Sequence, residues 1–137
     1  MSAIRSRVNA EILQALSNDR ELFVLTEGRI YDTESVLLKD EDLPLVTMRY
    51  FQGSFPAVTH AVRRWPLQIQ AYSSKGYEEA GEVHDRITEV LHRKRFKRDD
   101  GIMFVTRQLS DPAENYDEEL GDFILSSLFR VDLIHSE

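Results

Sequence analysis

The stretch Ser73-Ser-Lys-Gly-Tyr77 lies between an alternating apolar segment and an amphipathic run, a position where many enzymes grip phosphate. A phosphate loop closes several glycine amides on the anion and then places a lysine and a hydroxyl at the helix start. Here Lys75 precedes the single Gly76, and no second acid follows at dinucleotide spacing. The turn therefore reads as a connection, with Ser73 or Ser74 capping a helix and Gly76 loosening the backbone. The histidines, His60, His84, His92 and His135, fall in different segments without HExxH or i,i+4 spacing. Asp40-Glu-Asp42 lacks the glycine and terminal glutamate of a calcium loop, and Pro44 falls where a ligand is needed. It reads as a solvated acidic loop. No GxSxG elbow or SxxK pair marks a nucleophile. These patterns predict no catalytic, cofactor-binding or metal-ligating residues, and thus no cofactor and no enzyme.

One dense positive patch remains. Arg93, Lys94, Arg95, Lys97 and Arg98 surround Phe96, and the set could hold nucleic acid or an acidic protein surface. The same residues also suit a helix C-terminus complemented by cations and followed by a solvated loop. Asp99 and Asp100 blunt the patch.

The elements that must position these groups follow from periodicity. Residues 2–17 carry Ile4, Val8, Ile12, Ala15 and Leu16 at helical spacing, with Ser2 as an N-cap and Asn18-Asp19 as the stop. Residues 21–42 read as a loop with one short strand. Residues 45–51 are rich in β-branched and aromatic types and predict a strand, broken by residues 52–56. Residues 58–64 are ambiguous. Leu67, Ile69 and Ala71 alternate with Gln68 and Gln70, the mark of a strand with one dry and one wet side. Residues 77–92 predict a helix through Tyr77, Ala80, Val83, Ile87, Val90 and Leu91, with Glu78 and Glu79 at its positive end. A basic loop leads to a strand over 102–109, which Pro112 and the polar run after it stop. A long strand closes the chain over 123–135, with Ser127 the one polar interruption on its dry side. The expected fold is α+β, in the order α-β-β-α-β-β. Two helices would cover one face of a roughly four-stranded antiparallel or mixed sheet.

The 137 residues suit a single domain spanning 1–137, large enough to need no disulfide or metal. There is no cysteine, which excludes thiol catalysis and thiolate zinc sites. The 24 acids against 17 bases give a net charge of −7, which opposes a dedicated duplex-DNA binder. Arg5, Arg7 and Glu11 interrupt the N-terminal apolar stripe, so no export signal is expected, and no apolar run approaches a membrane span.

Taken in order, "ILQAL", "GRIYD" at 28–32, "LPLVTMRY" at 43–50, "WPLQIQAYSSKGYEEAGEVHDRITEVLHR" at 65–93 and "FILSSLFRVDLI" resemble a known family. It is that of the tail-completion or tail-terminator proteins of long-tailed bacteriophages and related prophage elements. Residues 32–42 and 93–101 follow no pattern of that family. The resemblance implies an α+β subunit of a hexameric homo-oligomeric ring in the virion neck, assembled in the host cytoplasm. Such a ring caps the head-proximal end of the tail tube, stops tube polymerisation and docks the head-closure or connector protein. DNA would pass through without specific binding. As a hypothesis, the wet faces of the strands starting at Leu45 and Leu67 contact neighbours or line that channel, where acidic charge would repel DNA. The alternatives are another neck component, such as a head-closure or minor tail protein, and a small nucleic-acid-binding adaptor using residues 93–98.

Overall fold

A computed structural model describes residues 3–32, 44–50 and 63–136. Among them are three helices, α1 (Ala3–Ser17), α2 (Arg20–Thr26) and α3 (Tyr77–Leu91). The strands are β1 (Ile30–Asp32), β2 (Leu45–Tyr50), β3 (Arg63–Ser73), β4 (Lys94–Lys97), β5 (Ile102–Gln108), β6 (Ala113–Asp117) and β7 (Asp122–Ser136). All seven join one sheet in the order β1-β2-β3-β7-β5-β4, with β6 also paired to β7. The class is the expected α+β and the sheet is mixed, since β1 runs parallel to β2 and the other pairings are antiparallel. Among the described residues, the expected four strands and two helices are corrected to seven and three.

Each correction has a local cause. Asn18-Asp19 does end α1, but Asp19 also starts α2, its carboxylate accepting the Leu22 N–H at 3.0 Å. An aspartate both stops one helix and caps the next when the chain turns between them. The expected basic loop is β4, because Phe96 stacks on Phe104 at 4.5 Å and draws the charged residues into register beside β5. The polar run after Pro112 is β6. Fifteen-residue β7 is longer than β5, so its free half pairs with whatever follows. Pro112, which has no N–H to donate, separates the two strands. The short strand expected within 21–42 is β1. The Ser2 cap, the cluster Asp40-Glu-Asp42, the break at 52–56, residues 58–62 and His60 lie outside the described residues.

β7 is the spine, paired to β3 from Ser73↔Phe123 to Arg63↔Leu133 and to β5 and β6 on its other side. One face of the sheet is dry. Val46, Met48, Trp65, Leu67, Ile69, Phe104, Phe129 and Val131 form a single cluster with Val8, Ile12 and Leu16 of α1, Leu22 of α2, and Val83, Ile87 and Leu91 of α3. Each fully buried aliphatic or aromatic side chain there contributes about 1.5–3 kcal/mol. The two polar groups that intrude on this face answer each other. Ser127 Oγ and His84 Nε2 are 2.6 Å apart, so the expected interruption in β7 is matched from the helix above it. No helix among the described residues is long and apolar enough to cross a membrane.

Candidate functional site

The basic run is divided by its own strand. α3 ends at His92, whose N–H reaches Thr88 O, and Arg93 turns the chain in the left-handed region (φ 60°) to bond Thr106 O. Phe96 is buried, and Lys94 sits over its ring at 5.9 Å. Arg98 bends back to α1, donating to Glu11 Oε1 and to Arg7 O at 3.1 Å and to Asp100 at 3.2 Å. Arg7 bonds the same Asp100 at 3.1 Å. Burial acts to raise the Asp100 carboxyl, but the Ile102 N–H, Arg98 and Arg7 outweigh it and hold it below the usual range. Arg98 is therefore a tie between α1 and the β4–β5 turn. Arg93, Arg95 and Lys97 stand exposed and make no ion pair among the described residues.

The opposite charge collects on a projecting hairpin. Asp111, Glu114, Asp117, Glu118, Glu119 and Asp122 lie between Arg107 and Arg130 with no base among them. β6 and the start of β7 form the arm, and its turn is tied by Asp117 Oδ1, which accepts the Glu119 and Leu120 N–H groups. Gly121, at φ 72°, closes the turn on Asp117 O. Tyr116 packs on Phe123 at 4.8 Å, and Phe123 meets Tyr77 of α3 edge-on at 5.1 Å, which fastens the arm to the body. Asp117 and Asp122 oppose each other across the hairpin. Burial, with the Asp117 charge added, pushes the Asp122 carboxyl up.

The face of the sheet away from the helices carries a second cationic set. Asp132 is almost buried and takes Arg130 at 2.7 Å, Arg107 at 3.5 Å and Arg64 at 3.6 Å. Three strands contribute one guanidinium each, so no spacing in the sequence announces the cluster. By register Arg49, Arg95 and Lys97 lie on this same face. The hypothesis that this wet face repels DNA by acidity is thus opposed by its own residues. Beyond the arginines, Gln68 bonds Ser126 at 3.0 Å and Tyr72 bonds Gln70 at 2.7 Å.

Two grooves invite a search for chemistry. One of about 630 Å³ lies between α2 and α3, lined by Arg20, Glu21, Val24, Glu82, Asp85 and Glu89 among others. Arg86 at its floor grips both Asp19 oxygens at 2.8 Å and Glu89 at 2.7 Å. The Asp19 bond raises the arginine's affinity for its proton, and the same bond draws the Asp19 carboxyl down despite burial. The second groove, about 460 Å³, brings His92, Ser110 and Asp111 together. Its hydrogen bonds are structural: His92 Nδ1 accepts the Gln108 N–H at 3.0 Å, and Thr88 donates to Gln108 at 2.7 Å. No bond links the three residues as a nucleophile and base require. Among the described residues no group of three or more His, Asp or Glu is arranged to hold a metal.

The Ser73 turn is a connection with one change of detail. Gly76, not a serine, is the N-cap, in an extended positive-φ conformation (φ 153°, ψ 176°) that glycine alone adopts readily. Ser73 accepts the Lys75 and Gly76 N–H groups and donates to Glu79 Oε1 at 2.6 Å. The glutamate three residues into the helix reaches back as in a capping box, but to a hydroxyl further upstream.

Comparison by sequence with family models and with curated proteins returns no match. By structure, the chain is similar to one in the solved virion of a native gene transfer agent (GTA) particle. The superposition covers 97% of this chain and 98% of that one, with a TM-score of 0.73 and 16% sequence identity. At that identity the two share a fold.

Proposed function

We propose that this chain is a structural virion protein without catalytic activity, a tail terminator whose copies form a ring, six in number, at the head-proximal end of a tail tube. The ring halts tube polymerisation and presents a docking face to the head-closure or connector protein. It resides in the virion neck after assembly in the host cytoplasm. The observation that carries this reading is the superposition over nearly the full length of both chains on a component of a solved virion. The family resemblance of the segments at 28–32, 43–50 and 65–93 narrows the virion component to a terminator. Exposed Phe23 and Val24 on α2 (54% and 71%) and exposed β4 and β6 supply contact surface rather than a reaction centre. Because the open face carries Arg49, Arg64, Arg107 and Arg130 around Asp132, with Asp117 and Asp122 set apart on the hairpin, its central part suits contact with neighbouring subunits better than a DNA-repelling lumen. Of the five bases proposed to meet a partner, the exposed Arg93, Lys94, Arg95 and Lys97 keep that role and Arg98 is bound within the fold.

The test is to mix the purified protein with polymerising tube protein and image by negative stain. Rings seated on one end of tubes of limited length are expected. Uncapped tubes growing as long as without the protein would end the reading, and rings seated only on the connector would favour another neck component.

A second reading rests on one observation: Arg95 and Lys97 continue across the open face into Arg107, Arg130 and Arg64, a basic field in an acidic protein. Such a field would hold a phosphate backbone as a nucleic-acid adaptor does. Salt-dependent DNA binding lost in Arg95→Ala/Lys97→Ala/Arg107→Ala would support it.

A further inference from the structure

β4 and β6 are exposed strands on the same side of the sheet, displaced by one strand. β4 covers β5 from Met103 to Thr106, while β6 pairs only with β7, so beside β6 a notch one strand wide is open among the described residues. The strand bounding the notch is acidic and the strand that forms the step is basic. Their lengths also match, at five residues for β6 and four for β4.

A stepped edge of this kind is complementary to itself. Rotating a second copy by half a turn about an axis perpendicular to the sheet places its β4 in the notch beside β6. The same rotation returns the first copy's β4 to the notch of the second, as an isologous contact requires. We infer that two copies of this chain pair along this edge, the basic β4 of each lying beside the acidic β6 of the other, to make one sheet continuous through both.

Direction and face are consistent with that pairing. β4 is antiparallel to β5, and β6 follows the direction of β5 because both run antiparallel to β7. After the half-turn, β4 and β6 run parallel, and parallel neighbours exchange evenly spaced backbone bonds. On the helix side, Lys94 and Phe96 meet Glu114 and Tyr116; on the open side, Arg95 and Lys97 meet Asn115 and Asp117. Tyr116 is 45% exposed and gains an apolar neighbour. Asp117 faces Asp122 within its own hairpin, a like-charge opposition that a neighbouring cation relieves. Lysines on an edge strand also discourage pairing with unselected edges, so the charges select an acidic strand and reject a second β4. The contact closes on two copies and is independent of a ring, which needs head-to-tail contacts.

The experiment uses the full chain and sedimentation equilibrium at low and high salt. A dimer that weakens with salt is expected. Lys94→Glu/Lys97→Glu leaves acidic residues on both edges, and Glu114→Lys/Glu118→Lys reverses the charge that faces Lys94 and sets a cation next to Asp117 at the end of β6, so that each variant sets like charges along the edge. Each variant alone should weaken dimerisation by roughly a hundredfold, since the twofold repeats every lost and reversed pair. An equimolar mixture of the two should recover a heterodimer, as should one chain carrying all four changes. Recovery on mixing shows that both variants fold. A wild-type chain that remains monomeric at low salt, or a dimer indifferent to both reversals, would overturn the inference. Rings on tube ends with either result would leave the terminator reading standing, so the two failures are distinguishable.

Discussion

Arg95 and Arg98 stand three residues apart in one basic run and have opposite fates. Arg98 turns inward, where Glu11, Asp100 and the Arg7 carbonyl hold it against α1. Arg95 points to solvent from an edge strand and makes no ion pair among the described residues. The same contrast runs through the molecule. Asp19, Asp132 and Asp100 are enclosed by cations, whereas Glu114, Glu118 and Lys97 make no ion pair among the described residues. Charges enclosed within the fold act on its stability. Charges left at an edge act on what the fold meets, because an exposed pair with no fixed geometry contributes little to folding.

That division can be broken by measurement, beginning where the effect is largest. Asp132→Ala removes the one carboxylate among Arg64, Arg107 and Arg130, leaving three guanidiniums crowded on a half-buried face. We expect a loss of about 3 kcal/mol in urea unfolding, near the lower end for breaking a buried pair because the arginines keep some water. A loss below about 1 kcal/mol would mean that the cluster belongs with the edge charges.

Ser127→Ala should cost about 2 kcal/mol by stranding buried His84 against the sheet. The pH dependence of this site has a definite sign. Burial pushes the His84 ring pKa below its ordinary 6.5, so the unfolded chain binds the proton more readily than the fold does. The stability held by the neutral ring is therefore present above about pH 6.5 and lost as pH falls through the lower folded value. His84→Gln should flatten the thermal midpoint between pH 7 and 5 on the order shown by wild type; an unchanged slope would assign it elsewhere.

Asp19→Ala should remove about 1 kcal/mol through the lost cap of α2, read by urea unfolding. Because Arg86 holds the Asp19 carboxyl low, its contribution is present above the ordinary 3.8 and disappears only as pH drops below that value. Asp122 has the opposite sign: its raised pKa makes the ionised form a burden that acid relieves, so Asp122→Asn should gain stability at neutral pH.

The smallest effect belongs to the edge. Arg95→Ala/Lys97→Ala should change the unfolding free energy of the monomer by less than about 0.5 kcal/mol while weakening self-association. A large loss of folding stability would place β4 with the enclosed charges and erase the contrast.

The enclosed part of the molecule was the more legible in the sequence. Over 77–92 the helical period and the acidic first turn agree, and α3 forms there within one residue, although its N-cap is Gly76 and not the expected serine. The alternation of Leu67, Ile69 and Ala71 likewise marks β3, and its face is the dry one. The candidate edge was half legible. The five bases around Phe96 were read directly as a candidate contact patch, whereas the run after Pro112 was read only as polar. That both blocks are strands could not be read, since Lys94–Lys97 and Ala113–Asp117 have neither β propensity nor a clean period.

By itself the sequence determined the α+β class, the dry faces of α3, β3 and most of β7, the acidic balance, and the missing phosphate loop at Ser73. These depend on periods of two or 3.6 residues and on neighbours in the chain, so they are present before any contact forms. Only the tertiary structure decided that β4 and β6 are strands, that Arg98 is enclosed while Arg95 is not, and that three arginines from three strands surround Asp132. Those outcomes depend on which segment lies beside β5 and β7. Pairing of that kind is set by register between residues far apart in the chain, where no local pattern carries it.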